Sequence, residues 1–203
     1  MMRSSLLPTV VGLLVGAGAG ALPAQRFTSA SGYTLALPLG DTRDFVTTPS
    51  WIGITWDGRW GLTPHVTTTA GVSFQDFYAS SFKTTNFASG AATGQQVRDL
   101  IAANFMGGIR LYPLPQASNR PYLAIAAGAA YSGQYFQLGL SQINRDVVAP
   151  AIAPELGLEM PVMDGIDAVL SMRYTMPART TNHIGGGARS FQYLTLGIAF
   201  AER

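Results

Sequence analysis

The chain contains no cysteine among its 203 residues. This excludes a disulfide framework, a thiolate metal site and a cysteine nucleophile. Charge is scarce too: Asp, Glu, Lys and Arg make up 12% of the chain, against roughly 25% in an ordinary soluble domain. Lysine occurs only at Lys83, and histidine only at His65 and His183. The net charge of +2 comes with no concentrated basic patch, so nucleic acid is not an expected partner. Within residues 25–203 no apolar run reaches the ~20 residues of a transmembrane helix. If this chain lives in a membrane, it must cross as strands.

What is present begins with an N-terminal segment unlike the rest. Arg3 is followed by a mostly apolar stretch from Leu6 to Val15 and the small-residue run Gly16 to Ala21. Positive, apolar, small is the order of a cleavable secretory signal, and the apolar part is too short to span a bilayer. Residues 1–24 are expected to be that signal, with cleavage after Ala24 or after the alternative Ala19-Gly20-Ala21, leaving 25–203 as one domain.

That domain alternates with a period of two, the mark of strands that are apolar on one face and polar on the other. In Ile52 to Trp60, the even positions are Ile52, Ile54, Trp56, Gly58 and Trp60, and Gly53, Thr55, Asp57 and Arg59 lie between them. The same split recurs near Tyr33 and from Val66, Ile101, Leu123, Ile152, Ile166 and Leu194. The segment near Tyr33 is the shortest and is interrupted by Pro38. From Gly40 onward the connections alternate long and short, with long polar links at 40–50, 79–96, 139–148 and 177–189 and tight ones at 61–64, 113–121 and 161–165. Strand length alone would set the Tyr33 segment aside, whereas the rhythm of links requires it as the first strand. Eight antiparallel strands is the expected count, closed on themselves because an open edge in lipid leaves backbone groups unpaired at several kcal/mol each.

A soluble ligand-binding barrel would alternate as well, with its apolar face inward. Three features favour the reverse. The polar face carries Gly53, Gly71, Gly108, Ala124, Ala126, Gly128 and Gly157, which suit the narrow interior of eight strands. Trp56, Trp60, Tyr78, Tyr131, Tyr135 and Tyr174 share the apolar face, as in the aromatic girdles of membrane barrels. Lysine is nearly absent.

With these segments in place, the chain resembles the small OmpA/OmpX-type outer-membrane barrel family over nearly all of 25–203. The ending Tyr193-Leu194-Thr195-Leu196-Gly197-Ile198-Ala199-Phe200 looks like the C-terminal targeting strand of such proteins, although Ala201-Glu202-Arg203 follow it. Arg110-Leu111-Tyr112-Pro113 and Pro121-Tyr122-Leu123 share the resemblance. It implies an up-and-down transmembrane β-barrel in the outer membrane, monomeric, surrounded by lipid and inserted by the barrel-assembly machinery. It implies no single activity.

No catalytic, cofactor or metal residue is assigned. His183 lies in Thr180-Thr181-Asn182-His183-Ile184, without a histidine–serine spacing on a strand, and reads as a solvated loop histidine. Gly185-Gly186-Gly187 lacks the lysine and hydroxyl residue of a phosphate loop. The charges expected to face inward are Asp57, Arg59, Arg110, Glu155, Glu159, Asp167 and Arg173. In an eight-stranded tube they should form ion pairs that plug the interior rather than line a selective pore. Pairing through the 161–165 turn is expected to set Glu155 diagonal to Arg173 and Glu159 opposite Asp167, with Arg59 or Arg110 relieving that like-charge pair. A structural or surface-binding role through the long loops is the leading expectation, with a small channel for ions or apolar molecules second and a loop-based hydrolase third.

Overall fold

A computed structural model describes residues 27–87 and 90–202; the expected signal, 1–24, lies outside them. The elements in chain order are β1 (Phe27–Gly40), a short helix α1 (Asp41–Phe45), β2 (Ile52–Thr63), β3 (Val66–Phe87), β4 (Gly90–Leu111), β5 (Arg120–Leu138), β6 (Ser141–Met163), β7 (Ile166–Pro177) and β8 (Phe191–Glu202). Each strand pairs antiparallel with the next, and β8 returns to β1 from Ala30↔Ala201 to Gly40↔Phe191, closing an eight-stranded barrel. The Tyr33 segment is therefore the first strand, and no edge is left open at the seam.

Burial settles which face looks inward. Ile54, Leu156 and Leu170 are 63%, 47% and 40% exposed, whereas Arg110 and Glu155 are 2% and 7% exposed. The apolar face that carries Ile54, Leu156 and Leu170 is outside, and the face that carries Arg110 and Glu155 is within. Around the outer wall run Phe105, Leu123, Ile125 and Val148, with Phe27 packed on Trp60 near one rim and Trp51 and Tyr78 near the other. So wide an exposed apolar surface is stable only against lipid or detergent.

One end carries the tight turns. Asp164-Gly165 joins β6 to β7, with Gly165 at φ 79°, a left-handed backbone conformation that glycine adopts without strain. The other end is taller on one side. β1, β2, β7 and β8 have 12 to 14 residues, whereas β3 to β6 have 19 to 23. A bilayer needs about 9–11, so the second group rises some ten residues higher, on the order of 30 Å of strand. The links expected over 79–96 and 139–148 are mostly this extra strand: β3 and β4 pair out to Phe87↔Gly90, and β5 and β6 to Leu138↔Ser141. Where both faces of a sheet are wet, alternation fades and a strand reads as a polar loop.

The two prolines inside strands have local explanations. Ala36 N–H donates to Ser50 O, so Pro38, two residues on, faces the same side, past the point where the β1–β2 ladder has ended. Pro154 faces β7, as does Pro150, whose carbonyl accepts from Ala178 N–H. The β6–β7 ladder skips Ala153 and Pro154 and resumes at Glu155↔Arg173, while Ile125↔Pro154 holds on the β5 side. Glu155 thus lies directly opposite Arg173 and Glu159 opposite Val169. The sequence-based expectation, centred on 161–165, was two residues out because the chain turns later, at Asp164-Gly165, and pairs from Met163↔Ile166; a one-residue bulge between Pro161 and Met163 takes up part of that shift.

Candidate functional site

The interior is filled in two layers. Nearer the turn end lie four carboxylates, Asp57, Glu155, Glu159 and Asp167, and four guanidinium groups, Arg59, Arg110, Arg120 and Arg173. They sit on β2, β4, β5, β6 and β7, each at an inward position of its strand. Glu159 is the hub: its Oε1 accepts from Arg59 at 3.0 Å, Arg110 at 2.9 Å and the Tyr112 hydroxyl at 2.8 Å, and its Oε2 from Arg120 at 3.0 Å. Glu155 accepts from Arg110 at 3.2 Å, Arg173 at 2.5 Å and Tyr122 at 2.7 Å. Asp57 stands 3.8 Å from Arg110, 3.6 Å from Arg173 and 4.0 Å from Arg59. The Arg110 guanidinium lies 4.0 Å from the centre of the Tyr122 ring, a cation–π contact. A side chain at Gly157 would drive its Cβ into that ring, so the glycine makes room for Tyr122.

All seven charges assigned inward are brought together here, and Glu155 contacts Arg173. Three partners were missed. The near pair Glu159 and Asp167 is bridged by Arg120, 3.0 Å from each, as well as being served by Arg59 and Arg110 through Glu159. Arg120 sits where the chain leaves the proline-rich second turn, outside any alternating segment. Tyr112 and Tyr122 flank that turn, and their hydroxyls had no visible acceptor in the sequence.

The second layer closes the loop end. Ala36, Phe45, Val46, Phe77, Leu100, Ala102, Phe191 and Tyr193 form one buried apolar cluster. α1 delivers Phe45 to it, turning off β1 at Gly40, whose φ of 50° suits glycine. Arg98 donates to the carbonyls of Asp44 and Phe45 and holds the helix in the mouth. The β7–β8 connection also folds inward. His183 is 6% exposed, bonded to Gln134 and Thr180, and is not the solvated loop residue expected. Its ring has no serine or carboxylate among these partners, only an amide and a hydroxyl. The His65 ring meets the Tyr112 carbonyl at the turn end.

A cavity of about 20 Å³ lies among Asp57, Arg59, Tyr122, Glu155 and Arg173, and one of about 10 Å³ lies beneath His183 and Phe191, room for about one water each. A larger recess of about 240 Å³ opens at the turn end beneath Arg120 and Tyr112. Among the described residues, no group of three or more His, Asp or Glu side chains is placed to hold a metal.

The comparisons with known proteins agree with this geometry. Neisserial surface protein A superposes with a TM-score of 0.59 over 87% of this chain and 96% of its own, at 10% identity. The fold is that of a small outer-membrane β-barrel. Ail, the attachment invasion locus protein of Yersinia pestis, solved with the heparin analogue sucrose octasulfate, aligns with this barrel at a TM-score of 0.53 and 11% identity, over 88% of this chain and 97% of its own. A major outer membrane protein of Thermus thermophilus gives 0.53 at 10% identity, over 89% of this chain and all of its own. At these identities the likeness is one of fold alone. No family model matches the sequence, and no curated protein matches it.

Proposed function

We propose that this chain is a non-conducting integral protein of the outer membrane that acts through its loop end and has no catalytic role. Residues 1–24 direct export and are removed, and the barrel-assembly machinery inserts the remainder as a monomer among outer-membrane lipids. The turn end faces the periplasm, and the tall wall of β3 to β6 faces the outside. The observation that carries this proposal is the doubly sealed interior: a network of ion pairs across one level and an apolar plug with α1 across the other. The wall offers polar side chains together with exposed Phe82, Leu140 and Ile143, a surface suited to contact rather than chemistry. Ail, a protein of the same fold named for attachment, is in keeping with such a role.

The test is planar-bilayer recording of the refolded protein together with membrane fractionation. No stable conductance steps, with recovery in the outer-membrane fraction, is the expected result. Steady single-channel steps would overturn the sealed interior in favour of a small channel.

A further inference from the structure

The β7–β8 connection is pinned into the barrel mouth by a contact whose polarity is fixed. Thr180 and Arg189 exchange backbone hydrogen bonds of 3.0 and 2.9 Å, closing a small loop with Gly185, Gly186 and Gly187 at its turn. Its residues His183 and Ile184 reach back to Gln134 of β5. The Ile184 backbone N–H can only donate, and it meets Gln134 Oε1 at 3.0 Å. The other amide atom is therefore Nε2, a donor, and it faces His183 Nδ1 at 2.6 Å. Nδ1 must accept, so the ring carries its proton on Nε2, which donates to Thr180 Oγ1 at 2.6 Å. The ring also packs on Phe191, with centroids 4.8 Å apart.

We propose that His183 is a proton-operated latch, holding the β7–β8 loop in the mouth while neutral and releasing it in acid. A proton added at Nδ1 would meet the Gln134 amide donors head on. Turning the amide over would set its nitrogen against Ile184 N–H instead. One repulsive donor pair remains either way, so the charged ring and the docked loop exclude each other. Release would uncover Phe191 and the alanine wall of Ala102, Ala130 and Ala149, and would change what the loop end presents. This goes beyond the role proposed above and holds for any ligand of that surface.

The charged groups around the ring act in both directions. Burial is the largest influence and holds His183 below its ordinary value; Arg189 adds to this, while Asp41 at the start of α1 and a backbone hydrogen bond to Arg189 oppose it. Arg98 on β4 is close enough to Arg189 to feel its charge. Because the docked ring resists protonation more than a free one, docking is at full strength above the free value of about 6.5. It weakens as pH falls through the lowered value of the docked state.

The chain has two histidines, so their ring carbon–proton signals can be followed separately by NMR in lipid nanodiscs, with the Ile184 amide reporting docking. In the wild type His183 is expected to titrate below about 6.5, and the Ile184 amide to lose its docked position over the same interval. In Gln134→Glu the carboxylate accepts from both donors. His183 should then titrate higher by about one pH unit or more, with Ile184 docked while the ring is charged. His183→Asn keeps an acceptor without a titrating group and should make the Ile184 signal independent of pH. If that variant fails to dock, the contrast between wild type and Gln134→Glu still decides. An Ile184 amide that stays docked while wild-type His183 protonates would overturn the latch, as would identical titrations in wild type and Gln134→Glu.

Discussion

Glu159 shows how much one buried carboxylate can organise. It is 3% exposed and accepts from three guanidinium groups and a phenol. Removing its charge leaves Arg59 and Arg110 buried with weakened compensation, and breaking a buried pair from one side costs about 3–5 kcal/mol. Glu159→Gln is expected to lower unfolding stability in lipid vesicles by about that amount. Arg120 is the half-exposed member of its pairs, with its side chain 35% exposed, and Glu159 keeps Arg59 and Arg110 when it is lost, so Arg120→Gln should cost less than Glu159→Gln. Urea titration of both variants checks the order, and equal losses would mean that burial does not set the strength of these pairs. Such residue-level detail was only half legible beforehand. Alternation placed Glu155, Glu159, Arg110 and Arg173 on one face, because side-chain direction in a strand depends on parity alone. It gave no sign of Arg120, Tyr112 or Tyr122, which flank the second turn.

Among the elements, β6 is the least regular. Pro150 and Pro154 both direct a missing donor toward β7, and the ladder has a gap there. Pro154→Ala would supply an N–H toward β7 and is expected to add about 1 kcal/mol, with the new amide protected in hydrogen exchange. A loss of stability instead would show that the gap is set by strand geometry and not by the absent donor. The elements that escaped sequence reading share a physical cause. α1 is five residues long and has too few turns to show a helical period. The upper halves of β3 to β6 stand above the apolar belt, where no single face must be greasy.

At the scale of the molecule, the two interior layers act in series. Phe45→Ala removes part of the apolar plug but leaves the ion-pair layer beneath it, so bilayer recordings of this variant should remain without steps. Conductance on loss of Phe45 alone would mean that the charged layer is permeable and that α1 is the true gate. The sequence by itself determined that the chain forms strands, which side of each is greasy and that the sheet has to close, since these follow from a two-residue period and from the cost of unpaired backbone in lipid. Only the tertiary structure decided which charges meet, because closure brings together residues as distant as Arg59 and Glu159, 100 positions apart. It alone decided that α1 and His183 fill the mouth, since links without periodicity take their shape from the cavity they enter.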